Sequence, residues 1–242
     1  MGYRALYANT NGQQNLAVGY EALSTQTAGF YNHAFGYHAL YANTSGGYNS
    51  AFGHGALENN STASNSVAVG YGTLNDSNGG DNTAVGTVAL TLNTTGSGNT
   101  GLGRSALYFN TIGNYNVATG RSALVGNTEG SNNTATGYQA LNSNTTGSNN
   151  TASGHRALYE STGSKNIGIG YGAGDDITTG SNNTIIGDLP GTAALSNTIL
   201  IGTGNTERIK VNSTGLYVNG TLLGGGSYSP WLIKTTTFTA AS

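Results

Sequence analysis

The chain predicts an all-β fold, a parallel β-roll or β-solenoid of about twelve 17-residue coils followed by a C-terminal β-hairpin. Three observations carry this. Glycine recurs at Gly2, Gly19, Gly36, Gly53, Gly70, Gly86, Gly103, Gly120, Gly137, Gly154, Gly170 and Gly187, in steps of 17 residues with two steps of 16. Each glycine sits in the same phrase, roughly Asn-Thr-Ala-Val-Gly-Tyr-x-Ala-Leu. The phrase is also poor in helix character, because Gly, Asn and Thr disfavour helices and no apolar stripe recurs at i, i+3, i+4 and i+7. Self-similarity at a fixed short period marks a solenoid.

With the glycine at position 0, position −4 is mostly Asn, −2 mostly Ala, −1 a Val, Phe, Leu or Ile, +3 Ala and +4 Leu, as in Asn32, Ala34, Phe35, Ala39 and Leu40 around Gly36. Positions +7 and +8 are usually Asn and Thr, and a second glycine follows near +10. The reading is two extended segments per unit, one through −3 to +1 and one around +3 to +6. The Asn-Thr-x-Gly clusters supply the return turn, since Gly and Asn tolerate positive φ. Stacked coils pair each strand with its copies at roughly 4.8 Å. Leu and Ala then form interior ladders, and the −4 Asn bonds along the stack as amides do in cross-β arrays. The glycine ladder marks where a coil must run close to something, either its own thin interior or a partner chain.

One Leu and one Val, Phe or Ile per coil make a thin core, which rarely offsets chain entropy. The −1 and +4 ladders need not share one interior. One apolar face is therefore expected to meet other copies, and a homotrimer is the closed cyclic solution.

After Gly174 the Leu is lost, and Asp188-Leu189-Pro190 interrupts the pattern. Ile185-Ile186-Gly187 and Ile199-Leu200-Ile201-Gly202 keep the strand as atypical terminal coils. Arg208–Asn212 and Gly215–Asn219 alternate at period 2 and read as a hairpin. The expected divisions are a repetitive β-roll over 1–204, a hairpin cap over 205–223 and a Gly-rich linker with a terminal strand over 224–242, the strand at Trp231–Thr235. An open first coil and a loose last strand would permit end-to-end assembly.

Composition narrows the function classes. Charged residues are 7% and the net charge is −2, so no footprint for nucleic acid appears. With no cysteine there is no disulfide framework or thiolate metal site. No apolar run approaches the roughly 20 residues of a membrane span, so no membrane insertion is expected. Met1 is followed at once by mid-repeat sequence, so no signal peptide is expected.

The units such as Asn132–Ser148, and the strand Asn65-Ser66-Val67-Ala68-Val69-Gly70, resemble the repeats of trimeric β-roll fibres over about residues 2–204. Two families share the look, the head domain of trimeric autotransporter adhesins and the shaft of phage tail fibres. The 17-residue unit is longer than the adhesin head repeat, and no coiled-coil stalk or membrane barrel follows, which favours the tail-fibre branch or an excised fragment. The resemblance implies a homotrimeric rod, on a virion tail or cell surface, that attaches its bearer to a host glycan or protein receptor.

Position +1 is the candidate contact ladder: Tyr3, Tyr20, Tyr37, His54, Tyr71, Arg104, Arg121, Tyr138, His155 and Tyr171. Facing solvent, it could stack on sugar rings; the alternative is a ladder stacked on itself or packed between subunits. Of the histidines, only His33 sits where three copies could meet on an axis and hold a metal. Asp175-Asp176 reads as a capping turn or a Ca²⁺ ligand pair. No nucleophile–base set stands out and no cofactor is expected, so the chain is not read as an enzyme. Asn-x-Ser/Thr sequons occur at Asn43, Asn93, Asn144, Asn212 and Asn219. The alternatives are a self-assembling filament subunit, an ice-binding solenoid using the +8 Thr ladder, and a glycan-degrading solenoid enzyme.

Overall fold

A computed structural model describes residues 2–204 and 206–224. One three-residue strand recurs per coil: β1 (Leu16–Val18), β2 (His33–Phe35), β3 (Ser50–Phe52), β4 (Val67–Val69), β5 (Thr83–Val85), β6 (Thr100–Leu102), β7 (Val117–Thr119), β8 (Thr134–Thr136), β9 (Thr151–Ser153) and β10 (Ile167–Ile169). β11 (Thr184–Gly187) and β12 (Ile199–Thr203) are longer. These twelve strands pair in parallel and in sequence order, enclosing eleven turns of a β-solenoid. At strand spacing the stack is about 50 Å long. β13 (Thr206–Asn212), β14 (Gly215–Val218) and β15 (Thr221–Gly224) continue the sheet as an antiparallel meander. β13 and β14 are the expected hairpin. β15 adds a third strand to the expected 205–223 cap and ends at Gly224, and the terminal strand expected at Trp231–Thr235 lies outside the described residues.

Only the first expected extended segment is a strand. Positions +1 to +6 form consecutive turns, with Ala5 N–H donating to Gly2 O, Tyr7 N–H to Arg4 O and Asn9 N–H to Leu6 O. The reason is geometric. Ala at +3 and Leu at +4 are both fully buried, as Ala39 and Leu40 are. Side chains on a strand alternate faces, so two adjacent inward residues require a turn. The turn is made by left-handed backbone at +2 and +4, as at His38 (φ 54°) and Leu40 (φ 53°).

The interior holds the −2 and +3 alanines, the +4 leucines and two columns of fully buried asparagines. The −4 column bonds amide to backbone: Asn133 N–H donates to Asn116 Oδ1 at 3.0 Å. Amide-to-amide bonds along the stack occur in that column, as Asn150 to Asn133 at 3.1 Å, and also at +7, where Asn127 donates to Asn110 at 2.7 Å and Asn144 to Asn127 at 2.8 Å. Where Leu is lost at Gly174, the volume returns from Ile177 and Ile185, both fully buried and both beside the place a Gly174 Cβ would occupy.

Both glycine columns are explained by close approach to the next coil. From Gly19 to Gly170 the position-0 glycines have φ between 131° and 144°. A Cβ on any of them would lie 2.7 Å or less from a main-chain atom of the next glycine in the column. The close neighbour is thus the adjacent coil rather than the interior. The +10 glycines, such as Gly113, do not serve a positive φ; a Cβ there would strike Asn110 Oδ1 at 2.5 Å and crowd the next coil's Gly130 carbonyl.

The two 16-residue steps each delete one exposed corner. Gly79 and Gly163 abut Gly96 and Gly180 as +10 residues, so the missing residue is at +9. In a full coil the +7 Asn spans that corner, as Asn9 does with both Gly12 N–H and Gly12 O. Both short coils carry Ser at +7 instead, and the shorter Ser77 hydroxyl reaches Gly79 O at 3.3 Å. The amide ladder ends at Ser161, which leaves the buried Asn144 Oδ1 without a donor.

Candidate functional site

The +1 column lies on the surface. Tyr3, Tyr20, Tyr37, His54 and Tyr71 stack face to face in one run, with ring centroids 4.8–5.2 Å apart. A second run joins Tyr138, His155 and Tyr171 at 5.3 and 4.8 Å. Because each ring covers the face of the next, the faces that would receive a sugar are occupied within the runs. What solvent meets is ring edges and phenol oxygens. The Tyr20 phenol is held above its ordinary pKa, chiefly by the Glu21 carboxylate beside it. Between the runs the column carries Thr87, Arg104 and Arg121, and the Arg121 guanidinium lies 5.7 Å from the Tyr138 ring centre.

Beside the first run, polar and charged side chains meet across coils in a line that column-by-column reading of the sequence missed. Arg4 meets Glu21 at 3.4 Å. His38 Nε2 meets Glu21 at 3.1 Å, and His38 Nδ1 meets Glu58 at 2.8 Å. Glu58 in turn accepts from Asn75 at 3.0 Å. His38 also lies 4.0 Å from the Tyr37 ring and 4.7 Å from the Tyr41 ring. Positions +2 and +5 thus come together across one coil step, an offset that no single column reveals.

The outward face of the sheet is a different surface. It carries positions −3 and −1 of every coil, while the −2 residue points inward. Leu16, Val18, Phe52, Val67, Val69, Val85, Leu102, Val117, Ile167, Ile169, Ile186 and Ile199 are all exposed there. Over the twelve strands no Lys, Arg, Asp or Glu occupies these positions, and His33 is the one ionisable side chain. The −1 and +4 ladders therefore face opposite ways, −1 to solvent and +4 to the core.

Two threonine populations separate. The +8 hydroxyls of Thr10, Thr27, Thr44, Thr94, Thr111, Thr128 and Thr162 donate to the next coil's carbonyl at 2.9–3.2 Å. Their hydrogens are committed to the stack, so this column does not offer the free donors an ice-binding face needs. Thr134, Thr136 and Thr151 on the sheet face point outward instead, with Ser153 completing the pair on β9. The sequons divide as well: Asn43, Asn93 and Asn144 are fully buried and closed to glycosylation, whereas Asn219 is exposed.

Among the described residues, no group of three or more His, Asp or Glu is placed to hold a metal. A cleft of about 200 Å³ lies between the last coil and β13, lined by Leu189, Pro190, Leu195, Leu200, Glu207 and Lys210. It is smaller than ordinary ligand pockets. Burial, then Asp176, raises the Asp175 carboxyl above its ordinary pKa, while Arg156 opposes the rise. A raised folded pKa gives stability that is present below the unfolded value and lost as pH rises through the folded one. Asp175→Asn is therefore expected to melt slightly above the parent at neutral pH, with the difference vanishing below about pH 3; thermal melts across that range check it.

Comparison with protein-family models, with curated proteins and with solved structures finds no match to this chain.

Proposed function

We propose that this chain is a structural and adhesive fibre segment, the shaft of a viral tail fibre or surface adhesin, assembled as a homotrimer for attachment to a host surface. The observation that carries the reading is the outward sheet face. A strip about 50 Å long and about 10 Å wide covers on the order of 500 Å², apolar over most of β1–β7 and again over β10–β12 with a Thr and Ser break on β8 and β9, and exposed apolar patches of such size are often functional. The coil's own apolar core is the Leu and Ala columns with Ile177 and Ile185, and the side chains of this strip stay outside it, open to a partner. Closing three copies around an axis covers all three strips. The stacked, hydrogen-bonded coils make the segment stiff, as a spacer that presents an attachment surface must be.

The test is solution mass. Light scattering of the wild type is expected to give about three times the 24.5 kDa chain mass. Val69→Lys with Val85→Lys, both on exposed positions of the strip, is expected to give single chains with unchanged circular dichroism. A stable wild-type monomer rejects the trimer, and long filaments in electron micrographs favour a filament subunit instead.

One observation favours a second reading. Thr134, Thr136, Thr151 and Ser153 form an outward two-by-two array in register across β8 and β9. A regular array of threonine methyls and hydroxyls is what an ice-binding surface requires. Thermal hysteresis in a monomeric preparation would support that reading over the fibre.

A further inference from the structure

Between Asp81 and Glu129 the only charged side chains are Arg104 and Arg121. They occupy the same column on successive coils, flanking the register that pairs β6 with β7. A Cβ on Gly103 would lie 3.2 Å from the Arg121 nitrogen, which shows how closely the two coils approach at this corner. Both arginines are exposed. The ion pairs among the described residues are Arg4–Glu21, His38 with Glu21 and with Glu58, and Lys210–Glu207. Neither Arg104 nor Arg121 takes part in one.

Like charges on neighbouring rungs repel. Near the start of the rod the chain instead sets opposite charges on adjacent coils, as Arg4 and Glu21 do. Here two exposed arginines stand on adjacent coils with no ion-pair partner, and the Tyr138 ring of the following coil braces the Arg121 guanidinium without neutralising it. The Ser122 N–H donates to the Arg104 carbonyl at 2.9 Å, which seats a serine on the coil edge beside the pair.

We propose that Arg104 and Arg121 form a clamp for one oxyanion, the carboxylate or sulfate of an acidic glycan. The proposal rests on the attachment reading and narrows it. Stacked tyrosines have their faces covered, so recognition passes from ring stacking to charge. A planar guanidinium offers paired N–H donors that match carboxylate and sulfate oxygens, and a shared anion turns the repulsion into attraction. A glycan fits better than a nucleic acid. Phosphate polymers are held by many cations at once, whereas this stretch supplies two.

Calorimetric titration of the full chain with three probes tests this: a uronate oligosaccharide, a sulfated oligosaccharide and a neutral oligosaccharide of equal length. The wild type is expected to bind at least one acidic probe, more weakly as salt rises, and to ignore the neutral one. Arg104→Gln with Arg121→Gln is expected to weaken that binding by about tenfold or more. Which acidic probe binds identifies the oxyanion. The clamp is overturned if the wild type binds neither acidic probe, if the double variant binds as tightly as the wild type, or if duplex DNA of equal charge binds equally well. Both substituted residues are exposed and lie just past β6 and β7, off the outward sheet face itself, and the light-scattering mass of the double variant reports the assembly separately. Lost binding with an intact trimer supports the clamp, and unchanged binding by the variant refutes it whatever the mass.

Discussion

Gly120→Ala is expected to cost about 4 kcal/mol or more of stability, a large part of the 5–15 kcal/mol a domain ordinarily has. Two penalties add. At φ 132° the backbone is in a region that L-residues avoid, worth about 1–3 kcal/mol. The new Cβ would also lie 2.5 Å from Gly137 O and 2.7 Å from its carbonyl carbon, both main-chain atoms that no rotamer change can move. The coils must part, and the bonds beside the contact lengthen with them, Gly137 N–H to Thr119 O at 2.8 Å and Gln139 N–H to Arg121 O at 3.0 Å. Gly72→Ala is the control. Its φ of 59° is left-handed, yet the nearest atom is Val88 Cγ1 at 3.5 Å, ordinary contact. That change should cost only the left-handed penalty of about 1–2 kcal/mol. Urea unfolding followed by circular dichroism separates the two. Because a solenoid coil contacts only its neighbours, proteolysis of Gly120→Ala is also expected to cut near the altered coil. Equal midpoints for both variants would mean that the glycine column is not a close contact between coils.

The solenoid and its inward residues are legible in the sequence because stacking repeats one chemical demand at one interval. Gly120, Ala123 and Leu124 each sit in a column, and each column has one role. Conformation within the coil is less legible. Tyr31, Tyr48, His38 and Leu40 all take positive φ, a conformation their chemistry does not advertise. The adjacent buried pair Ala39-Leu40 held the clue, since a strand cannot bury both. The joint change of a missing +9 residue and Ser at +7 was likewise present at Ser77 and Ser161, but its meaning needs the corner that Asn9 and Asn43 span. For the candidate site, the column of Tyr20, Arg104 and Tyr138 was readable. The direction in which the rings stack was not, nor was the diagonal pairing of His38 with Glu58, because both depend on side-chain reach between coils.

Asn116→Leu is the second large expected effect, about 2–6 kcal/mol. The side chain is fully buried and holds two backbone groups of other coil segments. Its Oδ1 accepts the Asn133 N–H at 3.0 Å, and its Nδ2 donates to the Gly130 carbonyl at 2.8 Å. Leucine has the same branching and number of side-chain heavy atoms but no polar group, and leaves both groups buried and unpaired, at about 1–3 kcal/mol each. The fold itself supplies a milder variant. Ser66 occupies the equivalent position, and its Oγ still receives the Asn82 N–H, at a longer 3.4 Å. Asn116→Ser should therefore keep the weaker form of one bond and cost less than the leucine change. Asn132→Lys is the surface control: Asn132 has φ 59°, and Lys165 holds the same position naturally at φ 60°. Urea midpoints are expected in the order Asn132→Lys, Asn116→Ser, Asn116→Leu, highest first. Native-state hydrogen exchange adds a local readout, because the Asn133 amide should lose protection in Asn116→Leu well before amides several coils away. Uniform loss along the rod would assign the stability to the whole stack rather than to this ladder.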